Sequence, residues 1–92
     1  MTEELKQLEK ILDLQFEEHD YQKEQANTYR ISQSNTIYRL GITGRNFDLA
    51  VLVPFKDTLY QLRLTDCTID GLAGLSQLPN LNEIHFDNVT IT

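Results

Sequence analysis

Apolar and polar positions from Ile37 onward follow a frame that repeats without a gap. Leu59 opens the order Leu-x-x-Leu-x-Leu-x-x-Cys-x-Ile, and the same frame starts twenty-two residues earlier at Ile37 and twenty-two later at Leu81. Ile37, Leu59 and Leu81 form the first column, Leu40, Leu62 and Ile84 the second, and Ile42, Leu64 and Phe86 the third. Arg45, Cys67 and Val89 follow, then Phe47, Ile69 and Ile91, so Arg45 is the single polar break. A fixed period of this length marks a stacked-repeat architecture, in which no unit buries its apolar face alone.

Within a repeat, the alternation Leu62-Arg63-Leu64 puts two apolar side chains on one face of a strand and Arg63 on the other. Cys67 and Ile69 then carry the chain around a corner with their side chains inward. Leu72, Leu75 and Leu78 recur every three residues, a period that suits a short 3₁₀ return path better than a strand. Pro79-Asn80 turns the chain toward the next strand. One repeat is thus one coil of a parallel solenoid. The return segment of the first copy (Leu49, Leu52, Phe55) runs one residue out of phase with that of the second. Arg45 stands where a buried side chain is expected and is predicted to swing outward at a distorted corner.

The leader has a different period. Thr2 before Glu3 and Glu4 is a helix start, with a hydroxyl for the first amides and acids that suit the positive end of the helix dipole. Leu5, Leu8, Ile11, Leu12 and Phe16 fall at helical spacing and predict one apolar stripe. From Glu17 to Thr28 the chain turns polar, which predicts a helix end, a second short turn and a loop. Tyr29-Arg30-Ile31, the turn composition Ser32-Gln33-Ser34-Asn35 and the run Thr36 to Ile42 predict a β-hairpin that leads into the first repeat. Helix and hairpin together would cover an apolar end and a strand edge.

These repeats resemble the leucine-rich repeat family. LYQLRLTDCTIDGLAGLSQLPN, residues 59–80, matches the consensus from end to end, with Cys67 at the Asn/Cys position, and its length is similar to the internalin-type subclass. The first copy departs at Gly44-Arg45-Asn46, which puts Asn46 one place late, and the third has Val89 where Asn or Cys is usual. The resemblance implies a short α/β leucine-rich repeat solenoid with parallel strands, capped by an N-terminal helix and β-hairpin. Residues 1–36 would be the cap, and 37–58, 59–80 and the partial 81–92 the repeats. Similar leaders precede the repeats of some bacterial multidomain proteins, including Roco-type GTPases. What the family resemblance implies for function is protein binding without catalysis.

Ninety-two residues make one domain. The charge is uneven: residues 1–27 carry eight acids and three lysines, net −5, and residues 28–92 carry six acids and five basic residues, net −1. Phosphate backbones and anionic lipid surfaces need a concentrated basic stripe, so neither a nucleic acid nor a membrane is expected as partner. MTEELKQLEK is too charged for a signal peptide, which predicts a cytoplasmic protein and makes the sequon Asn88-Val89-Thr90 coincidental. One cysteine excludes an internal disulfide, and Cys67 at a repeat position reads as a buried, inert thiol.

Two clusters invite a metal reading. Glu17-Glu18-His19-Asp20 would project in several directions from a solvated helix end, and His85 with Asp87 lacks a third ligand. No serine sits in a nucleophile elbow and no glycine-rich loop could cradle phosphate, so neither catalysis nor a cofactor is expected.

The outward positions of the strands form columns: Arg39, Gln61 and Glu83; Gly41, Arg63 and His85; Thr43, Thr65 and Asp87. Tyr38 and Tyr60 lie beside Asn82 at the start of the strands. Tyrosine and arginine are favoured interface anchors, so Tyr60, Arg63 and His85 centre the predicted contact patch. Phe86, Val89 and Ile91 belong to a third repeat with no return segment. Their apolar face predicts either further repeats in a longer protein or a homodimer through the C-terminal edge.

Overall fold

The apolar columns set the register of the main sheet. The computed structural model describes residues 2–20, 22 and 26–92. Strands β3 (Ile37–Thr43), β5 (Gln61–Thr65) and β7 (Glu83–Asp87) lie side by side in parallel. Leu40 pairs with Leu62 and Leu62 with Ile84, while Ile42 pairs with Leu64 and Leu64 with Phe86. The corner strands β4 (Asn46–Phe47), β6 (Thr68–Ile69) and β8 (Thr90–Ile91) form a second parallel sheet, with Phe47, Ile69 and Ile91 in one row. Two sheets at the same offset of twenty-two residues make a mixed α/β fold whose strands are mostly parallel.

Two short 3₁₀ segments, Leu49–Phe55 and Ala73–Gln77, close the far side of the core. Leu49, Leu52 and Phe55 are all buried, as their period of three requires, and the Asp48 carboxylate accepts from the Ala50 amide at 2.9 Å to start the first segment. The second segment is less regular. Leu78 is buried and Leu75 half-buried, but Leu72 precedes the segment and lies exposed. Gly74 brings the second segment directly against the first: a Cβ there would stand 2.6 Å from the Leu49 Cβ and 3.1 Å from the Ala50 amide nitrogen.

Helix α1 (Glu3–Leu12) packs on the first 3₁₀ segment. Thr2 Oγ1 accepts from the Leu5 amide at 3.2 Å, and Asp13 at φ 53 ends the helix in the left-handed region. The buried stripe is Leu5, Leu8 and Leu12 alone. Ile11 is 61% exposed, because at about 100° per residue it lies a quarter turn from the centre of that stripe. Phe16 is buried too, yet it lies past the helix end, where its amide donates to the Glu9 carboxylate at 2.7 Å.

The expected hairpin forms from β2 (Thr28–Ile31) and β3, antiparallel, with a register shift between Arg30 and Ile31 and Asn35 at φ 62 in the turn. One element is unexpected. Glu17–Glu18, read above as part of a helix end, is a short strand β1 that pairs in parallel with Thr28 and Tyr29, so the sheet order is β1-β2-β3-β5-β7. The short turn predicted between residues 17 and 28 falls partly on residues 21 and 23–25, which lie outside the described residues. No helix among the described residues is long and apolar enough to cross a membrane.

Arg45, expected to swing outward at this corner, is half-buried there and has partners that the sequence did not show. Nε donates to the Leu12 carbonyl at 2.8 Å and the terminal nitrogens to the carbonyls of Asp13 and Gly44 at 3.0 Å. A guanidinium therefore satisfies the carbonyl end of α1, where the helix dipole favours a cation.

Candidate functional site

Alternation along β3, β5 and β7 sends every second side chain away from the core, and parallel pairing puts those side chains in register. Arg39 lies opposite Gln61 and Gln61 opposite Glu83; Gly41, Arg63 and His85 make the next row; Thr43, Thr65 and Asp87 the third. All nine positions share one face of the sheet.

Hydrogen bonds tie parts of this face together. Gln61 Nε2 donates to Glu83 Oε2, and His85 Nε2 stands 3.6 Å from the same oxygen. His85 thus has its carboxylate neighbour on its own strand, two residues before it. Asn82 Nδ2 donates to the Tyr60 hydroxyl at 2.7 Å, so Tyr60, though exposed, is held in place. Tyr38 is half-buried and lies one strand back, its carbonyl accepting from the Tyr60 amide at 2.8 Å.

A cleft of about 370 Å³ opens between the hairpin and β5. Gly41 lies in its floor with Arg39 two residues before it on the same strand; Thr28 and His19 line it toward β1, and Arg63 and Thr65 on β5. Asp87 closes the far end. Arg39 and Arg63 also flank a smaller hollow with Gln61 and His85. Among the described residues neither guanidinium donates a hydrogen bond or joins an ion pair.

His19 is the residue of this site that sequence reasoning missed. The sequence alone places it with Glu18 and Asp20 at a solvated helix end. Instead β1 carries it along the outer edge of β2, where its amide donates to the Tyr29 carbonyl at 2.9 Å and its ring nitrogens are shielded from solvent. Burial, then Arg39 and Arg30, hold its pKa below the usual imidazole value of 6.5; Asp20 opposes them and Arg63 adds to them. The ring is therefore neutral near pH 7. A strand of two residues leaves no periodic signal, so only the pairing itself could have located His19.

Cys67 is buried, with its thiol 3.4 Å from the Ile42 carbonyl and 3.3 Å from that of Thr65. It serves the turn, as its repeat position suggests. Val89, the half-buried member of the same column, has no polar side-chain atom for this role; the Thr90 amide donates to the Cys67 carbonyl at 2.9 Å, as the Thr68 amide does to the Arg45 carbonyl at 3.0 Å. No group of three or more His, Cys, Asp or Glu side chains among the described residues is placed to hold a metal ion. Phe86 and Ile91, which continue buried rows of the core, are 40% and 45% exposed on the outermost strands.

Comparison with family models, with curated proteins and with solved structures finds no match to this chain.

Proposed function

We propose that the chain is a short leucine-rich repeat solenoid, capped by α1 and the β2–β3 hairpin, that binds a protein partner non-enzymatically through the outward face of β3, β5 and β7. One observation carries this reading: eight side chains and Gly41 stand in three registered rows on that face, among them two arginines with no partner among the described residues. Rows of this kind present mixed charge and aromatic anchors to an extended ligand, with Tyr60, Arg63 and His85 at the centre of the patch. The acidic surplus of the rest of the chain argues against nucleic acid. The cytoplasm is the compartment this reading assumes, since a single reduced thiol suits it.

A photo-crosslinking residue at Gln61 or Glu83, compared with one at Gln77 on the opposite side of the repeat, tests the proposal in the source cells. A protein adduct formed from the first two positions and absent from the third is the expected outcome. Equal labelling from all three, or none, would refute it.

A second reading has its own support. Ile84, Phe86 and Ile91 continue the buried rows of the core, yet each is at least 40% exposed, and among the described residues no strand pairs with the outer edge of β7. Two copies joined through this edge would bury both apolar rows. Light scattering across a concentration series should then give a dimer, and Phe86→Glu or Ile91→Glu a monomer. A folded dimer untouched by both changes would sink this reading.

A further inference from the structure

We propose that the cleft floored by Gly41 is a monoanion site that receives the side-chain carboxylate of an aspartate or glutamate from an extended segment of the partner protein. The inference rests on the interaction reading above and adds the chemistry of the partner.

Placement of charge is the first support. A chain of net charge −6 has four arginines, and Arg45 is occupied at the end of α1. The remaining three, Arg30, Arg39 and Arg63, all lie near enough to His19 to oppose its protonation. Arg30 and Arg39 are direct cross-strand partners. Among the described residues Arg39 and Arg63 have no hydrogen-bond or ion-pair partner, so both guanidinium groups are open to an anion from outside.

Shape is the second. Gly41 does not have a left-handed backbone, so nothing in its conformation demands glycine. A Cβ there would stand 2.8 Å from Thr28 Oγ1 and fill the floor between the two arginines. Leaving that space open allows an anion to approach both guanidinium groups from below the level of the neighbouring side chains. At about 370 Å³ the cleft exceeds a carboxylate several times over, which leaves room for the adjoining peptide along the rows of β3 and β5.

The third support selects the anion. Two guanidinium charges and one carboxylate, Asp87, leave the cleft at +1 while the imidazole is neutral. That matches a carboxylate. A phosphate dianion would sit against Asp87 with excess negative charge. The planar forks of Arg39 and Arg63 are suited to the two carboxylate oxygens, and the Thr65 hydroxyl is within the same wall.

Titration of the ¹⁵N-labelled protein with acetyl-Gly-Glu-Gly-amide, its Gln counterpart and inorganic phosphate tests this. The Glu peptide should shift the amides of Gly41, Thr43 and Thr65 saturably, and the His19 ring should titrate at higher pH in its presence. The Gln peptide and phosphate should bind at least about tenfold more weakly, as should the Glu peptide to Arg39→Met or Arg63→Met, in line with loss of a charge-assisted hydrogen bond. Gly41→Ala, which keeps both arginines, should weaken binding while the amide spectrum stays folded. Phosphate binding as tightly as the Glu peptide, or Arg63→Met binding as well as the native chain, would overturn the proposal. Protein adducts at Gln61 and Glu83 without peptide-induced shifts would overturn the anion site and leave the interaction reading standing. Shifts without adducts would do the reverse.

Discussion

Two side chains carry more of the local structure than their places in the sequence announce. Arg45 occupies a position where the repeat calls for a buried group, and sequence reasoning could see only the mismatch. Its use became visible once α1 was found to end beside it, with the carbonyls of Leu12 and Asp13 both within 3.0 Å. Arg45→Met keeps the aliphatic stem and removes those bonds, so urea denaturation should show a loss of about 1–2 kcal/mol. A change below about 0.5 kcal/mol, the range of an ordinary surface substitution, would mean that the guanidinium does not hold the helix. His19 gives the second prediction. Its folded pKa lies below the value of 6.5 it takes when unfolded, so below that pH the unfolded chain binds the extra proton first. Stability contributed by the neutral ring is present above pH 6.5 and is lost as pH falls through the folded pKa. Burial sets this balance first, then Arg39 on β3 and Arg30 on β2, with Asp20 opposing and Arg63 on β5 adding to them; Asp87 lies in the same cleft. The thermal midpoint should therefore fall between pH 7.5 and pH 5.5, and by less in His19→Gln. Equal falls in the two proteins would assign the effect elsewhere.

At the scale of elements, what had a period was legible. The strands Thr28–Ile31 and Ile37–Thr43, each within a residue of the expected Tyr29–Ile31 and Thr36–Ile42, the 3₁₀ segments, and the capped start of α1 all follow from spacing and from the chemistry of Thr2. What lacked a period was not: β1 has two residues, and Phe16 is buried by the turn after Asp13, not by the helix. Ile11 shows the limit of a stripe argument, since a helix end can count an apolar residue that its neighbours leave in water. The contact between the two 3₁₀ segments is likewise invisible in the sequence, yet it depends on a missing side chain. Gly74→Ala should cost about 1–3 kcal/mol through overpacking against Leu49. Combined with Leu49→Gly, which removes the Cβ that the new methyl would meet, the two losses should add to more than the double variant shows, a coupling measurable in a double-mutant cycle. Strict additivity would mean that the segments do not press on each other.

For the whole molecule, the register of β3, β5 and β7 was readable from one number, the offset of twenty-two residues between Ile37, Leu59 and Leu81, because parallel pairing in register converts a sequence period into rows; the second sheet and β1 were not. The candidate face was half readable for the same reason: its rows were visible, and the wall contributed by β1 and β2 was not. The two ends of the sheet differ in burial. Residues of β3 and β5 that face the core are at most 2% exposed, whereas every residue of β7 is exposed. Amide hydrogen exchange should follow that gradient, slowest at Leu40, Ile42, Leu62 and Leu64 and fastest in β7 and β8. Equal protection across β5 and β7 would show that the outer strand is covered in solution.

The constant offset also bears on how such a chain can change. β5 meets its predecessor and its successor through the same residues, Leu62 with Leu40 on one side and with Ile84 on the other. A segment whose two flanks are interchangeable can be copied in place: a tandem duplication of residues 59–80 would find a ready-made seat on each side, and the reading frame of the rows would survive. Length is thus the trait this architecture leaves freest to evolve, and the anchored hairpin with its helix the part that has to stay fixed.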